Sequence, residues 1–128
     1  MNILHDEPLA PYTSLKVGGK ADELLLPESY EQALEALRDS EGKVWMLGFG
    51  SNSHISDHGL EDHTIIWRGG DISLQDETVV ADAGVWWDDV VRFAIDHKLW
   101  GLELMSEIPG SVGGGIFGNI AAYGQRLS

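Results

Sequence analysis

The sequence predicts an α+β domain, a mixed sheet with flanking helices, and two observations carry that expectation. A strand, a helix and a second strand follow one another within about 25 residues, and a second amphipathic helix comes after further short β-type runs. At 128 residues the chain fits one domain, long enough to bury roughly two-thirds of the surface its unfolded form exposes without a disulfide or metal staple. No unbroken apolar stretch reaches the roughly 18 residues a membrane-spanning helix needs.

Residues 1–11 read as a polar N-terminal arm punctuated by Pro8 and Pro11, and residues 12–128 as the domain proper. Gly18-Gly19 marks a turn, Glu23 to Leu26 a short apolar strand, and Pro27 its end. Ser29 and Gln32 have the spacing of a capping box. Tyr30, Ala33, Leu34 and Leu37 then recur at helical intervals to a stop near Gly42. Lys43 to Leu47 predicts a buried strand running into a glycine turn, Thr64 to Trp67 another short strand, and Thr78 to Ala83 a third that alternates into Gly84. From about Trp86 to Lys98 the positions Trp87, Val90, Val91, Ala94 and Ile95 form one apolar stripe, with Asp88, Asp89, Arg92 and Asp96 on other faces. The acidic pair stands in the first turn, where the helix dipole favours it. Between Gly110 and Gly124 six glycines fall in fifteen residues, a pattern that is neither helix nor ordinary strand. The chain follows this segment with Gln125 to Ser128 and reads as cut rather than finished.

Eight basic against 21 acidic residues give a net charge of −13, which repels nucleic-acid backbones and anionic lipid surfaces, so neither is an expected partner. The absence of cysteine excludes disulfides and thiolate chemistry and fits a reducing compartment. An N-terminus without a basic and then apolar leader points to the cytoplasm. Glycine, at 16 of 128 residues, exceeds the usual share of about 7% and implies close backbone approach somewhere in the fold.

Two segments concentrate those glycines. Gly48-Phe49-Gly50-Ser51-Asn52-Ser53 leaves the end of a predicted strand, where successive backbone N–H groups can form a nest for an anion. Ser53 stands where a Rossmann fingerprint needs its third glycine, and no Gly-Lys-Ser/Thr follows for a Walker loop. By spacing alone this loop reads more readily as a turn than as a ligand site. The second segment runs from Pro109-Gly110-Ser111-Val112-Gly113-Gly114 to Asn119 and Ala122-Tyr123-Gly124. There Ser111, Asn119 and Tyr123 offer orienting polar groups, while Val112, Ile116, Phe117 and Ile120 imply an ordered segment. His54 and His58 with Asp57, Asp62 and His63 nearby have loop spacing and read as surface histidines, so no metal site is assigned. Glu103 and Glu107 flank Leu104-Met105 without anything in the spacing to fix them as a catalytic pair, and the tryptophans read mainly as core.

A strand ending in G-x-G-S-N, followed later by I-P-G-S-V-G-G and N-I-A-A-Y-G, resembles the UDP-N-acetylenolpyruvoylglucosamine reductase (MurB) family. The resemblance extends to Tyr12-Thr13-Ser14-Leu15-Lys16-Val17-Gly18-Gly19-Lys20-Ala21 and to Leu99-Trp100-Gly101-Leu102-Glu103, so it covers roughly residues 12–127. It implies an FAD-binding domain of the vanillyl-alcohol oxidase type. Gly48 to Ser53 would lie against the FAD pyrophosphate, and Pro109 to Gly114 with Asn119 to Gly124 would line the cofactor from the other side. The implied reaction of a full-length enzyme is NADPH-dependent reduction of UDP-N-acetylglucosamine enolpyruvate in peptidoglycan precursor synthesis. With no basic residue in either segment, backbone amides and hydroxyls of Gly48, Gly50, Ser51, Gly110, Ser111 and Gly113 are the groups expected to meet the pyrophosphate charge.

Ala121 departs from the glycine usual in the family. The tyrosine-arginine motif, proton-donating serine and late glutamate that the family uses cannot be placed in these 128 residues, so no catalytic residue is assigned. The expectation is the FAD-binding portion of such an enzyme, inactive by itself, holding FAD weakly or not at all, and prone to self-association through its open end. Another oxidoreductase of the same superfamily and a non-catalytic, self-associating module are the alternatives.

Overall fold

The computed structural model describes residues 1–127, which divide into two compact units, one from Met1 to Arg68 and one from Gly69 onward. The first unit is built on a four-stranded mixed sheet. Strand β1 (Asn2–Pro8) pairs antiparallel with β2 (Lys20–Leu26), and β4 (Leu60–Ile65) lies parallel between β2 and β3 (Val44–Met46), giving the order β1-β2-β4-β3. The segment expected as an arm is thus an ordered edge strand. Its polar face is solvated, and Leu4 on the other face packs beside Leu9 and Leu24, a half-buried alternation too short and too interrupted to stand out in the sequence.

Helix α1 (Tyr30–Asp39) starts where Ser29 predicts: its Oγ accepts a hydrogen bond from the Gln32 amide at 3.3 Å. The reciprocal bond comes from the Glu28 amide to Gln32 Oε1 at 3.0 Å, one residue before the position a capping box uses. Ala36 of α1 packs with Leu25 and Ile65, whereas Tyr30 and Leu37 face solvent. Strand β3 is shorter and less buried than expected. As the sheet edge it leaves Trp45 43% and Met46 60% exposed, and the Trp45 indole N–H donates to the Glu61 carbonyl at 3.1 Å. A second cluster, Leu9, Ala21, Leu24, Ile55 and Ile66, ties the chain after β1 and the loop after β3 to the sheet. On adjoining strands His5, Glu23 and His63 stand opposite one another, with His63 Nδ1 2.5 Å from Glu23 Oε2.

In the second unit β5 (Ile72–Gln75) and β6 (Thr78–Ala81) form a hairpin closed by the two residues Asp76-Glu77, with Asp76 left-handed at φ +55°. Helix α2 (Trp87–Asp96) buries Trp87, Val90, Val91 and Ala94 as the stripe predicts. Two positions differ. Ile95 is half exposed, and Asp88, expected on a solvent face, is buried because it caps the backbone at Ser106-Glu107.

The glycine-rich stretch contains regular structure that its pattern hides: helix α3 (Val112–Gly118), then β7 (Ala121–Ala122) and β8 (Gln125–Arg126) in a hairpin. Four of the seven α3 residues are glycine, which propensity alone would reject. Burial of Val112 and Gly115 and a cap at each end hold the helix. The core of this unit is Val85, Trp87, Val90, Val91, Met105 and Val112, and the Trp87 indole donates to the Met105 carbonyl at 2.9 Å.

Candidate functional site

The chain leaves β3 through Leu47, whose amide donates to the Ile65 carbonyl at 3.0 Å, and enters the loop Gly48 to Ser53. Gly50 is its fixed point. Its φ of +66° is left-handed, and a β-carbon there would overlap the Tyr12 carbonyl oxygen and sit 2.8 Å from Thr13 Cα. Only glycine admits that approach. The Ser14 amide donates to the Gly50 carbonyl at 3.0 Å, so Tyr12 to Ser14 lies across the loop as a strap. Inside this unit no hydrogen bond is donated by the amides of Gly48, Gly50, Asn52 or Ser53. A glycine turn with uncommitted N–H groups is the concave donor array that binds phosphate oxygens.

Arg68, just after β4, adds a positive charge that the sequence reading missed. Its guanidinium carbon lies 5.0 Å from the Phe49 ring centroid and 5.7 Å from that of Tyr12, and Nη2 donates to the Tyr12 carbonyl at 3.0 Å. Burial lowers the guanidinium pKa from its ordinary value, yet arginine stays a cation at any physiological pH. The signal in the sequence was faint. Arg68 stands beyond the neighbouring strand, 18 residues from Gly50, and only the parallel pairing of β3 with β4 brings the two strand ends together.

The second glycine segment is organised by its own packing. The Ser111 hydroxyl accepts from the Gly114 amide at 3.1 Å and caps α3, and the Ser111 carbonyl accepts from Gly115 at 2.8 Å. The Val112 amide donates to Val85 at 2.9 Å, the Gly113 amide to Ala83 at 2.8 Å, and the Gly110 carbonyl accepts from Trp87 at 2.9 Å. Gly113 also lies where a β-carbon would come 3.0 Å from Ala83 Cβ. The Gly113 amide, expected near phosphate, and the Gly114 amide, expected to line the cofactor, are therefore already engaged, and part of the glycine excess serves contact within the chain. Asn119 ends α3 in the left-handed conformation at φ +47°, and Tyr123 and Gly124, both left-handed, form the two-residue turn between β7 and β8. Pro109 to Gly114 and Asn119 to Gly124 thus stand at opposite ends of a seven-residue helix, roughly 10 Å apart.

The Glu103 carboxylate accepts from the Gly101 amide at 2.7 Å, and hydrogen bonds from nearby backbone amides, its own foremost, lower its pKa. Among the described residues no group of three histidine or carboxylate side chains is arranged to hold a metal ion, and no helix is long and apolar enough to cross a membrane.

The first loop fits the phosphates of a nucleotide cofactor on three counts: the Gly48, Gly50, Asn52 and Ser53 amides, a left-handed glycine seated on the strap, and an adjoining cation. Comparison with known proteins points the same way. The chain is 43% identical to the UDP-N-acetylenolpyruvoylglucosamine reductase of Geobacillus kaustophilus (strain HTA426), over 98% of this chain and 43% of that protein. It is 41% identical to the enzyme of the same name from Limosilactobacillus reuteri subsp. reuteri (strain JCM 1112), over 97% of this chain and 43% of the relative. The crystal structure of UDP-N-acetylenolpyruvylglucosamine reductase (MurB) from Thermus caldophilus superposes with a TM-score of 0.76 at 30% identity, covering 98% of this chain and 44% of that one. The chain therefore spans less than half the length of the relatives it matches, and the similarity read from its glycine motifs is to these reductases. The family model described as "FAD binding domain" matches residues 21–128, and the chain belongs to that FAD-binding family.

Proposed function

We propose that this chain is the FAD-holding portion of a UDP-N-acetylenolpyruvoylglucosamine reductase. The observation that carries the reading is the loop Gly48 to Ser53, held against Tyr12 to Ser14 through Gly50, with the Gly48, Gly50, Asn52 and Ser53 amides uncommitted inside the unit. The residues proposed to contact FAD are Gly48, Phe49, Gly50, Ser51, Asn52 and Ser53 in the first unit. In the second they are Pro109, Gly110, Ser111, Val112, Gly113, Gly114, Asn119, Ala122, Tyr123 and Gly124. In that second group the Gly113 and Gly114 amides are engaged within the chain, and the Gly110 and Ser111 amides, the Ser111 hydroxyl proton and the Tyr123 phenol are groups that could orient a ligand.

Bound flavin supplies hydride chemistry, here from NADPH to the enolpyruvyl double bond of a UDP-sugar in peptidoglycan precursor synthesis. The chain's own residues bind and orient it: amides neutralise pyrophosphate charge, and glycines allow the approach. No proton-transfer residue is assigned among them. A cytoplasmic setting accompanies this reading, because both co-substrates are soluble nucleotides.

The test is titration of the purified protein with FAD. Quenching of flavin fluorescence that saturates at micromolar concentrations supports the reading, and no quenching up to millimolar FAD overturns it. Weak rather than tight binding is expected of this portion, and flavin-dependent NADPH oxidation by it is not.

A second reading, self-association, rests on a different observation. Helix α3 turns Ile116 and Phe117 to solvent, the latter 96% exposed, and Trp100 and Tyr123 of the same unit are also exposed. Apolar groups of that size favour burial against another surface.

A further inference from the structure

Arg68 is held in an unusual way for a cation of this chain. Lys20, Lys43 and Arg92 take carboxylate partners, whereas Arg68 is packed against two aromatic rings. Among the described residues no carboxylate comes within ion-pair distance of it. One nitrogen, Nη2, donates to the Tyr12 carbonyl, the rings of Phe49 and Tyr12 hold the guanidinium, and the remaining N–H groups make no other hydrogen bond among the described residues. The same side chain lines a shallow cleft of about 330 Å³ with Tyr12, Leu26, Pro27 and Glu28. An arginine clamped by aromatic rings loses little side-chain freedom on binding and keeps its fork of donors for a ligand. Through the Phe49 ring and the Tyr12 carbonyl on which Gly50 sits it adjoins the glycine loop, whose Gly48, Gly50, Asn52 and Ser53 amides also suit an anion.

We infer that Arg68 is a phosphate-contacting residue of the nucleotide site, supplying a side-chain positive charge beside the Gly48 to Ser53 loop. The inference rests on the flavin reading above and adds to it a residue outside both glycine segments. Phe49 and Tyr12 act as positioning residues for the guanidinium, and the Tyr12 carbonyl serves twice, as seat for Gly50 and anchor for Nη2.

The experiment compares two flavins that differ in phosphate. FAD and phosphate-free riboflavin are titrated into the whole protein, into Arg68→Met and into Arg68→Lys, with flavin fluorescence as readout and circular dichroism as the check on folding. Arg68→Met is expected to weaken FAD about tenfold or more while riboflavin binds as to the unaltered protein, and Arg68→Lys to recover part of the loss. Equal binding of FAD by Arg68→Met and the unaltered protein overturns the inference. So does an equal loss of both flavins in Arg68→Met, which marks a structural role. If Arg68→Met does not fold, Arg68→Lys decides: a loss of FAD affinity without loss of riboflavin supports the inference, and unchanged FAD affinity overturns it. Failure of the unaltered protein to bind FAD at all is a different result, which removes the flavin reading itself.

Discussion

The Ser106 hydroxyl donates a 2.6 Å hydrogen bond to the buried carboxylate of Asp88, in the first turn of α2. The Glu107 amide donates to the same oxygen at 2.8 Å, and Arg92 approaches the other at 3.0 Å. These bonds, that from Ser106 foremost, hold the Asp88 carboxyl below its ordinary pKa. The folded state therefore binds this proton less readily than the unfolded chain. The stabilisation is complete above the unfolded value of about 3.9 and is lost as pH falls through the lower folded value. Asp88→Ala is expected to cost about 2 kcal/mol at pH 7 and to shallow the acid limb of the stability curve. Urea unfolding at pH 7 and at pH 3 checks both. An equal loss at the two pH values would count against the assignment.

Thr64 in β4 is fully buried, and its hydroxyl makes no hydrogen bond in the structure. Replacement by valine keeps the branched shape that a central strand favours and removes an unsatisfied polar atom. Thr64→Val is expected to stabilise the first unit by about 1 kcal/mol, read as a raised urea midpoint with unchanged slope.

Two glycines make a contrasting pair. A β-carbon at Gly50 overlaps the Tyr12 carbonyl on a left-handed backbone, whereas one at Gly118, the last residue of α3, meets nothing within 4 Å. Gly50→Ala is expected to cost about 2 kcal/mol or more even without cofactor, and Gly118→Ala to gain about 0.5 kcal/mol from helix propensity. Thermal unfolding of the two variants reads the difference. The Gly50 result also shows why a bulky residue there is a poor probe of flavin binding: the fold needs that glycine first.

For the exposed face of α3, Phe117→Asp is expected to shift sedimentation toward a monomer at concentrations where the unaltered protein associates, with no loss of melting temperature. A monomer for both proteins would remove the self-association reading.

Much of this was legible in the sequence, and particular residues show where legibility stops. Ser29 and the Trp87 to Ala94 stripe placed two helices because capping and period are local signals. The glycine loop after β3 was legible as a motif, and the family follows from it. What failed was whatever depends on neighbours distant in sequence. Asn2–Pro8 becomes a strand only because β2 offers an edge, and Val44–Met46 is exposed only because nothing pairs beyond it. Val112–Gly118 is a helix despite four glycines because Ser111 caps it and Trp87 and Ile120 leave no room for a larger residue at Gly115. Arg68 joined the site through the register of two parallel strands, which no linear motif encodes.

The strap across the glycine loop also bears on how the protein is handled. Tyr12, Thr13 and Ser14 form the seat of a loop centred on Gly50, so the shape of that loop depends on a stretch close to the amino terminus. Trimming the first fourteen residues would deform the loop without touching any of its own residues. In amide exchange, protection in the strap and in the loop should rise and fall as one cooperative unit.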